Sequence, residues 1–145
     1  MGSNILYIED NPDNMMLVKR ALEARGYKLL QALNGTAGVA AAESEEVDLI
    51  LLDINLPDID GYEVARRIRR SPKKSTLAYV PIIAVTANAL KGDAEKALGA
   101  GCDVYMSKPI NLRELWARVE AFVPSPHETT ASPYRGSKIQ DDRNA

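Results

Sequence analysis

The sequence predicts an α/β domain built on a five-stranded parallel sheet with helices on both faces. Two observations lead there. Short apolar runs alternate five times with segments of helical character, and such alternation marks a parallel sheet covered on both sides. Several of the runs also end abruptly in a polar group: Ile5-Leu6-Tyr7-Ile8 runs into Glu9-Asp10, and Leu49-Ile50-Leu51-Leu52 into Asp53. At 145 residues, 46% hydrophobic and 26% charged, the chain is long enough to bury such a core as one domain.

The elements follow in order. Residues 5–8 form the first strand. Asn11-Pro12 reads as a cap followed by proline in the first turn, and Met15, Val18 and Leu22 share one face of the helix that follows, which Gly26 stops. Residues 28–33 make a shorter, mixed strand, expected near an edge. Asn34-Gly35 turns into an Ala-rich helix over 36–44, and 47–53 is the third strand. A helix over 62–70 turns Val64 and Ile68 inward and Arg66, Arg67, Arg69 and Arg70 largely outward, as a solvated basic face. Residues 71–75 are a polar connection and 81–86 the fourth strand. The helix over 89–100 consists of small residues with Gly92 and Gly99, which predicts a loosely held element. Residues 104–107 form the fifth strand, followed by Lys108-Pro109. A last helix starts near Asn111, with Leu112, Leu115, Trp116, Val119 and Val123 on one stripe and Trp116 as packing. From Pro124 the composition turns to Pro, Ser, Thr, Gly and mixed charge, so the expected division is a folded domain over 1–123 and a polar, disordered tail or linker over 124–145.

Bulk properties exclude several classes. A net charge of -2 offers no basis for nucleic-acid or anionic-membrane binding. One cysteine, Cys102, rules out a disulfide framework and suits a reducing, cytoplasmic setting. No apolar stretch approaches the ~20 residues of a membrane helix.

Right-handed crossovers place all strand C-termini on one rim, where ligands of open α/β sheets bind. Glu9 and Asp10 end the first strand, Asp53 the third, Thr86 the fourth, and Lys108 follows the fifth. Crowded carboxylates repel one another, and a hard divalent cation relieves that repulsion. Mg²⁺ beside a carboxylate and a lysine suits phosphoryl transfer, with Asp53 as a covalent acceptor.

The acidic pair Glu9-Asp10, the stretch Leu51-Leu52-Asp53-Ile54-Asn55-Leu56-Pro57-Asp58-Ile59-Asp60-Gly61, Val85-Thr86-Ala87 and Tyr105-Met106-Ser107-Lys108-Pro109 together resemble the receiver domain of two-component response regulators, over roughly residues 4–123. The resemblance implies a flavodoxin-like doubly wound sheet in the order 2-1-3-4-5. It implies that Asp53 takes a phosphoryl group from a phosphohistidine on a histidine kinase or a histidine phosphotransfer protein. Asp10, Asp53 and the Asn55 carbonyl would bind Mg²⁺, with Glu9 assisting through water. Lys108 would contact the phosphoryl group, Thr86 would swing toward it, and Tyr105 would follow inward. Asn55 and Asn88 would set the dephosphorylation rate, and the Lys108-Pro109 peptide would be cis. The implied activity is that of a signalling switch at the face made by the fourth helix, fifth strand and fifth helix. Its catalysis is limited to its own phosphorylation and slow hydrolysis. The only histidine, His127, lies in the tail, so the donor is expected on another domain or protein, and the chain is expected to be a stand-alone receiver or one from a hybrid histidine kinase or other larger protein.

Two rival readings fit less well. A haloacid dehalogenase-type phosphatase resembles Asp-x-Asp-x-Thr, but here Asn55 and Pro57 follow Asp53 at those positions. A flavodoxin-like cofactor protein needs a hydroxyl- and Gly-rich phosphate loop after the first strand, where this chain has Glu9-Asp10-Asn11-Pro12-Asp13.

Overall fold

The structure, a computed structural model, describes residues 3–87 and 92–125. Five strands, β1 (Asn4–Ile8), β2 (Lys28–Ala32), β3 (Leu49–Asp53), β4 (Ile82–Thr86) and β5 (Val104–Ser107), alternate with helices α1 (Pro12–Glu23), α2 (Gly35–Ser44), α3 (Gly61–Arg70), α4 (Asp93–Ala100) and α5 (Leu112–Phe122). All neighbouring strands pair in parallel, in the order β2-β1-β3-β4-β5. β2 is thus the edge strand that its mixed sequence suggests, and β1, β3 and β4 are interior.

The apolar runs work because both faces of the sheet are covered. Odd and even positions of each strand feed different cores. Leu6, Ile8, Ile50, Leu52, Ile82 and Ala84 pack with residues of α2, α3 and α4. Ile5, Tyr7, Leu49, Leu51, Ile83 and Met106 pack with residues of α1 and α5. Four helices start on a side-chain cap. Asn11, Asn34, Asp60 and Asn111 each accept the backbone N–H three residues on, at 2.9, 2.7, 2.9 and 3.0 Å, each worth about 1 kcal/mol. α4 is the exception: Gly92 (φ 95°) precedes it with no side-chain cap bond, and its buried residues are only Ala97 and Ala100. The described part of the helix runs from Asp93, and the expected start near 89 falls in 88–91, which lie outside the described residues.

Three features depart from the sequence reading. A 3₁₀ turn, Ser75–Ala78, follows the polar connection and buries Leu77 under the sheet. Four residues give no periodicity from which to infer it. Arg69 is not part of a solvated basic face. Its guanidinium donates to the carbonyls of Gly101 and Leu77 and to Asp103 Oδ2, each at 3.0 Å. Asp103 Oδ2 also accepts the Ile82 N–H at 2.9 Å, so Arg69 joins α3, the 3₁₀ turn, the start of β4 and the turn after α4. Finally, packing continues past residue 123. Ser125 is fully buried, and its hydroxyl donates to the Arg25 carbonyl at 2.6 Å. Nearby, Tyr27 Oη donates to the Val123 carbonyl, and Arg25 stacks on Trp116.

Candidate functional site

The rim is built by extending the ladder just past the strand ends. Glu9 N–H donates to the Ala32 carbonyl at 3.0 Å, Ile54 N–H to Val85 at 2.9 Å, and Lys108 N–H to Thr86 at 2.8 Å. These bonds fix the backbone at the residues that carry the polar groups. Glu9 and Asp53 are 1% exposed and Thr86 2%, whereas Asp10 is exposed. One carboxylate oxygen each from Glu9, Asp10 and Asp53 lies within 4.8 Å of the others. Lys108 reaches over from the end of β5. Its Nζ is 3.2 Å from Glu9 Oε1 and 3.3 Å from Asp53 Oδ2.

Each acid is held differently. Asp53 Oδ1 accepts the Asn55 N–H at 3.0 Å. Gly61 N–H returns to the Ile54 carbonyl at 2.9 Å and closes the loop. A Cβ on Gly61 would meet Ile54 Cα at 2.6 Å and the Asp53 carbonyl oxygen at 2.7 Å, so only glycine lets α3 start this close to the acid. Farther along the loop, Asp58 accepts the N–H groups of Gly35 and Thr36 at 2.7 and 2.8 Å and the Thr36 hydroxyl at 2.7 Å. That carboxylate sits at the N-terminus of α2, where its charge is favoured, and is held well below its ordinary range, first by the Thr36 N–H bond.

Glu9 carries more bonds than any other acid of the cluster. Its Oε1 accepts Tyr7 Oη at 2.9 Å and Asn14 Nδ2 at 3.3 Å besides Lys108, and its Oε2 accepts the Asn11 N–H at 3.1 Å. Burial pushes the Asp53 carboxyl up to about 6, the Asn55 N–H opposes the rise, and the Glu9 charge adds to it. Glu9 moves the other way. Burial opposes its ionisation, but the Asn11 N–H, the contact with Asp53, the Lys108 ammonium and the Tyr7 hydroxyl outweigh that and hold it below its usual range. Burial and the adjacent carboxylates push the Tyr7 phenol far up, which leaves it a donor.

Of the residues the sequence singles out, Glu9, Asp10, Asp53 and Lys108 meet directly. Thr86 ends β4 in register with Ser107, one step beyond the Asp53–Val85 pair. Tyr105 is half-buried on β5, packed against the core beneath α4. Asn55 is exposed in the loop, the Lys108-Pro109 peptide is cis, and Asn88 lies outside the described residues. Sequence reasoning missed Tyr7 and Asn14. Tyr7 leaves one signal, since it lies two residues before Glu9 on a strand and so shares its face. Asn14 leaves none. The donor set, three carboxylates with one open to solvent, fits a hard divalent cation such as Mg²⁺.

A doubly wound parallel sheet with a lysine-bridged acidic cluster at its strand C-termini is the class of protein that fold and rim define. The chain belongs to the response regulator receiver domain family, which matches residues 5–120. It is 36% identical over 123 residues to the polar-differentiation response regulator DivK of Brucella anthropi, covering 85% of this chain and 98% of the relative. Among solved structures it is similar to the receiver domain of sensor histidine kinase PA1611 from Pseudomonas aeruginosa, which has a magnesium ion coordinated in its active site cleft. That match has 39% identity and a TM-score of 0.77 over 86% of this chain and 100% of the other. It is also similar to the receiver domain of the Saccharomyces cerevisiae response regulator Ssk1, crystallised with the histidine phosphotransfer protein Ypd1. There the identity is 31% and the TM-score 0.76, over 83% and 88% of the chains. The chain is therefore a domain of phosphorylation-dependent two-component signalling rather than a classical enzyme. Among the described residues no helix is long and apolar enough to cross a membrane.

Proposed function

We propose that this chain is a switch that takes a phosphoryl group on Asp53 from a phosphohistidine of a histidine kinase or histidine phosphotransfer protein. The observation that carries this reading is the Lys108 ammonium held between Glu9 Oε1 and Asp53 Oδ2 at the meeting of three strand ends, in a chain of the receiver family.

An Asp53 carboxylate oxygen attacks phosphorus as the P–N bond to the donor imidazole breaks. The bond's electron pair leaves with the imidazole, which takes up a proton, and Asp53 becomes an acyl phosphate. Lys108 already lies on an Asp53 oxygen, so it can follow and neutralise the charge on the transferred oxygens without reorganising. Asp10, Asp53 and the Asn55 carbonyl would hold Mg²⁺, with Glu9 assisting through water. The bound ion would neutralise charge on the phosphoryl oxygens.

The product adds nearly two negative charges and three acceptors at the rim. The Thr86 hydroxyl turns toward one of them and Tyr105 moves inward, which favours one of two pre-existing states. α4, which lacks a side-chain cap at its N-terminus and is buried only through Ala97 and Ala100, is the element that yields most easily, and the α4–β5–α5 face carries the readout. Asn55 and Asn88 set the hydrolysis rate, which returns Asp53 and inorganic phosphate. The setting is cytoplasmic, the output goes to a protein partner rather than to nucleic acid or membrane, and residues beyond the folded unit serve as a polar tail or linker. In the test, the protein is treated with acetyl phosphate and Mg²⁺ and its intact mass is measured. One added phosphoryl group is expected, and none in Asp53→Asn. An unmodified parent or an equally modified variant refutes the proposal.

A further inference from the structure

Tyr7 occupies an interior position of β1 and is fully buried among Ile5, Leu49 and Leu51 beneath α1 and α5. The ring alone fills that core, and the hydroxyl adds nothing to its packing. A phenol there loses its water and needs a partner for its hydroxyl. The partner is Glu9 Oε1, at 2.9 Å on the same face of the strand. That oxygen also takes Asn14 Nδ2 and Lys108 Nζ, while the other takes the Asn11 N–H. The Glu9 carboxylate is thus fixed from its own strand and from the start of α1. Lys108, the next link, is fixed by Glu9 on one side and meets Asp53 on the other.

We propose that Tyr7 is a positioning residue of this site: its hydroxyl locks the Glu9 carboxylate, and through it the Lys108 ammonium, in line with Asp53. The inference rests on the reading of Asp53 as phosphoryl acceptor. Tyr7 itself touches neither the phosphoryl group nor its donor. Its contribution is alignment in a buried network, where one lost donor loosens every later link. Alignment of this kind is steep in rate, since small misplacements of a charge-stabilising group cost severalfold.

The test is a double-mutant cycle. Tyr7→Phe removes one oxygen and keeps the ring. Glu9→Met removes the acceptor, and Glu9→Ala is the second acceptor-free background. Initial rates of phosphoryl uptake from acetyl phosphate are measured at saturating Mg²⁺. Urea unfolding midpoints are measured for the metal-free proteins. Tyr7→Phe should slow uptake about 3- to 10-fold beside Glu9 but less than about 2-fold beside Met or Ala. It should lower the metal-free midpoint only when Glu9 is present. Equal losses in all backgrounds would show a purely structural role and overturn the inference. So would an unchanged rate in Tyr7→Phe while the parent is active. A parent that takes up no phosphoryl group overturns the reading of Asp53 and this inference with it.

Discussion

Replacing Asp53 with Asn should stabilise the metal-free protein at neutral pH, although it removes half of the Lys108 contact. The Asp53 side chain is 2% exposed, and its carboxyl rises from 3.8 to about 6 on folding. The native state therefore binds this proton more tightly than the unfolded chain does. The stability it contributes is fully present below pH 3.8 and is lost as pH rises through about 6. Above that, the ionised group weighs against the fold. A factor of ten in proton affinity is worth about 1.4 kcal/mol, so the full penalty is at most about 3 kcal/mol. Glu9 and Asp53 titrate as a pair and shift in opposite directions, which shares the penalty and leaves roughly 1–2 kcal/mol to Asp53. Asn keeps an acceptor for the Asn55 N–H and carries no charge. The expected gain is about 1–2 kcal/mol near neutral pH, or roughly 4–8 °C in Tm for a domain of this size. It should fade toward pH 4 as Asp53 takes its proton. Glu9 keeps its Asn11, Lys108 and Tyr7 contacts in both proteins and loses only the part of its downward shift owed to Asp53, which is why the gain is set below the full penalty. Calorimetry in chelator across this range gives the measurement. Added Mg²⁺ should then reverse the order, because an ion that binds only the native parent stabilises it by about 2.7 kcal/mol at a hundredfold excess over Kd. A destabilised Asp53→Asn, or a gap that does not change with pH, would refute the reasoning.

Further outcomes are expected elsewhere in the molecule. Gly61→Ala should cost about 1–3 kcal/mol in urea unfolding and slow phosphoryl uptake, because its Cβ meets the backbone of Ile54 and Asp53 rather than a movable side chain. Asp58→Ala should accelerate hydrogen exchange at the Gly35 and Thr36 amides, whose N–H groups it accepts, and leave exchange in α5 unchanged. Arg69→Met should lose about 2–3 kcal/mol and raise exchange in the turn after α4, since two carbonyls and Asp103 lose a charged donor together. Chelation of Mg²⁺ should abolish phosphoryl uptake in the parent, read as the intact mass, and restored Mg²⁺ should recover it.

The sheet and the rim were legible for the same reason. An interior parallel strand must be apolar on both faces, so the first polar residue marks where it reaches the surface. Glu9, Asp53 and Thr86 each follow such a run, and parallel pairing brings those ends to one side. The edge position of β2 was legible from its polar admixture. What stayed hidden depends on side chains that meet across the fold. Arg69 sits among three other arginines in sequence, and only Gly101, Leu77 and Asp103, brought close by folding, turn it inward. Asp58 finds its partners at Gly35 and Thr36, more than twenty residues away. Tyr7 reads as one more apolar residue of β1 until its hydroxyl is placed on Glu9. Ser125 reads as tail because nothing in its sequence marks the Arg25 carbonyl as its acceptor.

The central claim is that Asp53 itself carries the phosphoryl group. Borohydride reduces an acyl phosphate at the acyl carbon and leaves homoserine where the aspartate stood, so tandem mass spectrometry of the phosphorylated, reduced and digested protein reads the site directly. Homoserine at position 53, formed only when both phosphoryl donor and Mg²⁺ were present, is the predicted result. Aspartate intact at position 53 together with homoserine at Asp10, Asp58 or another aspartate would contradict it.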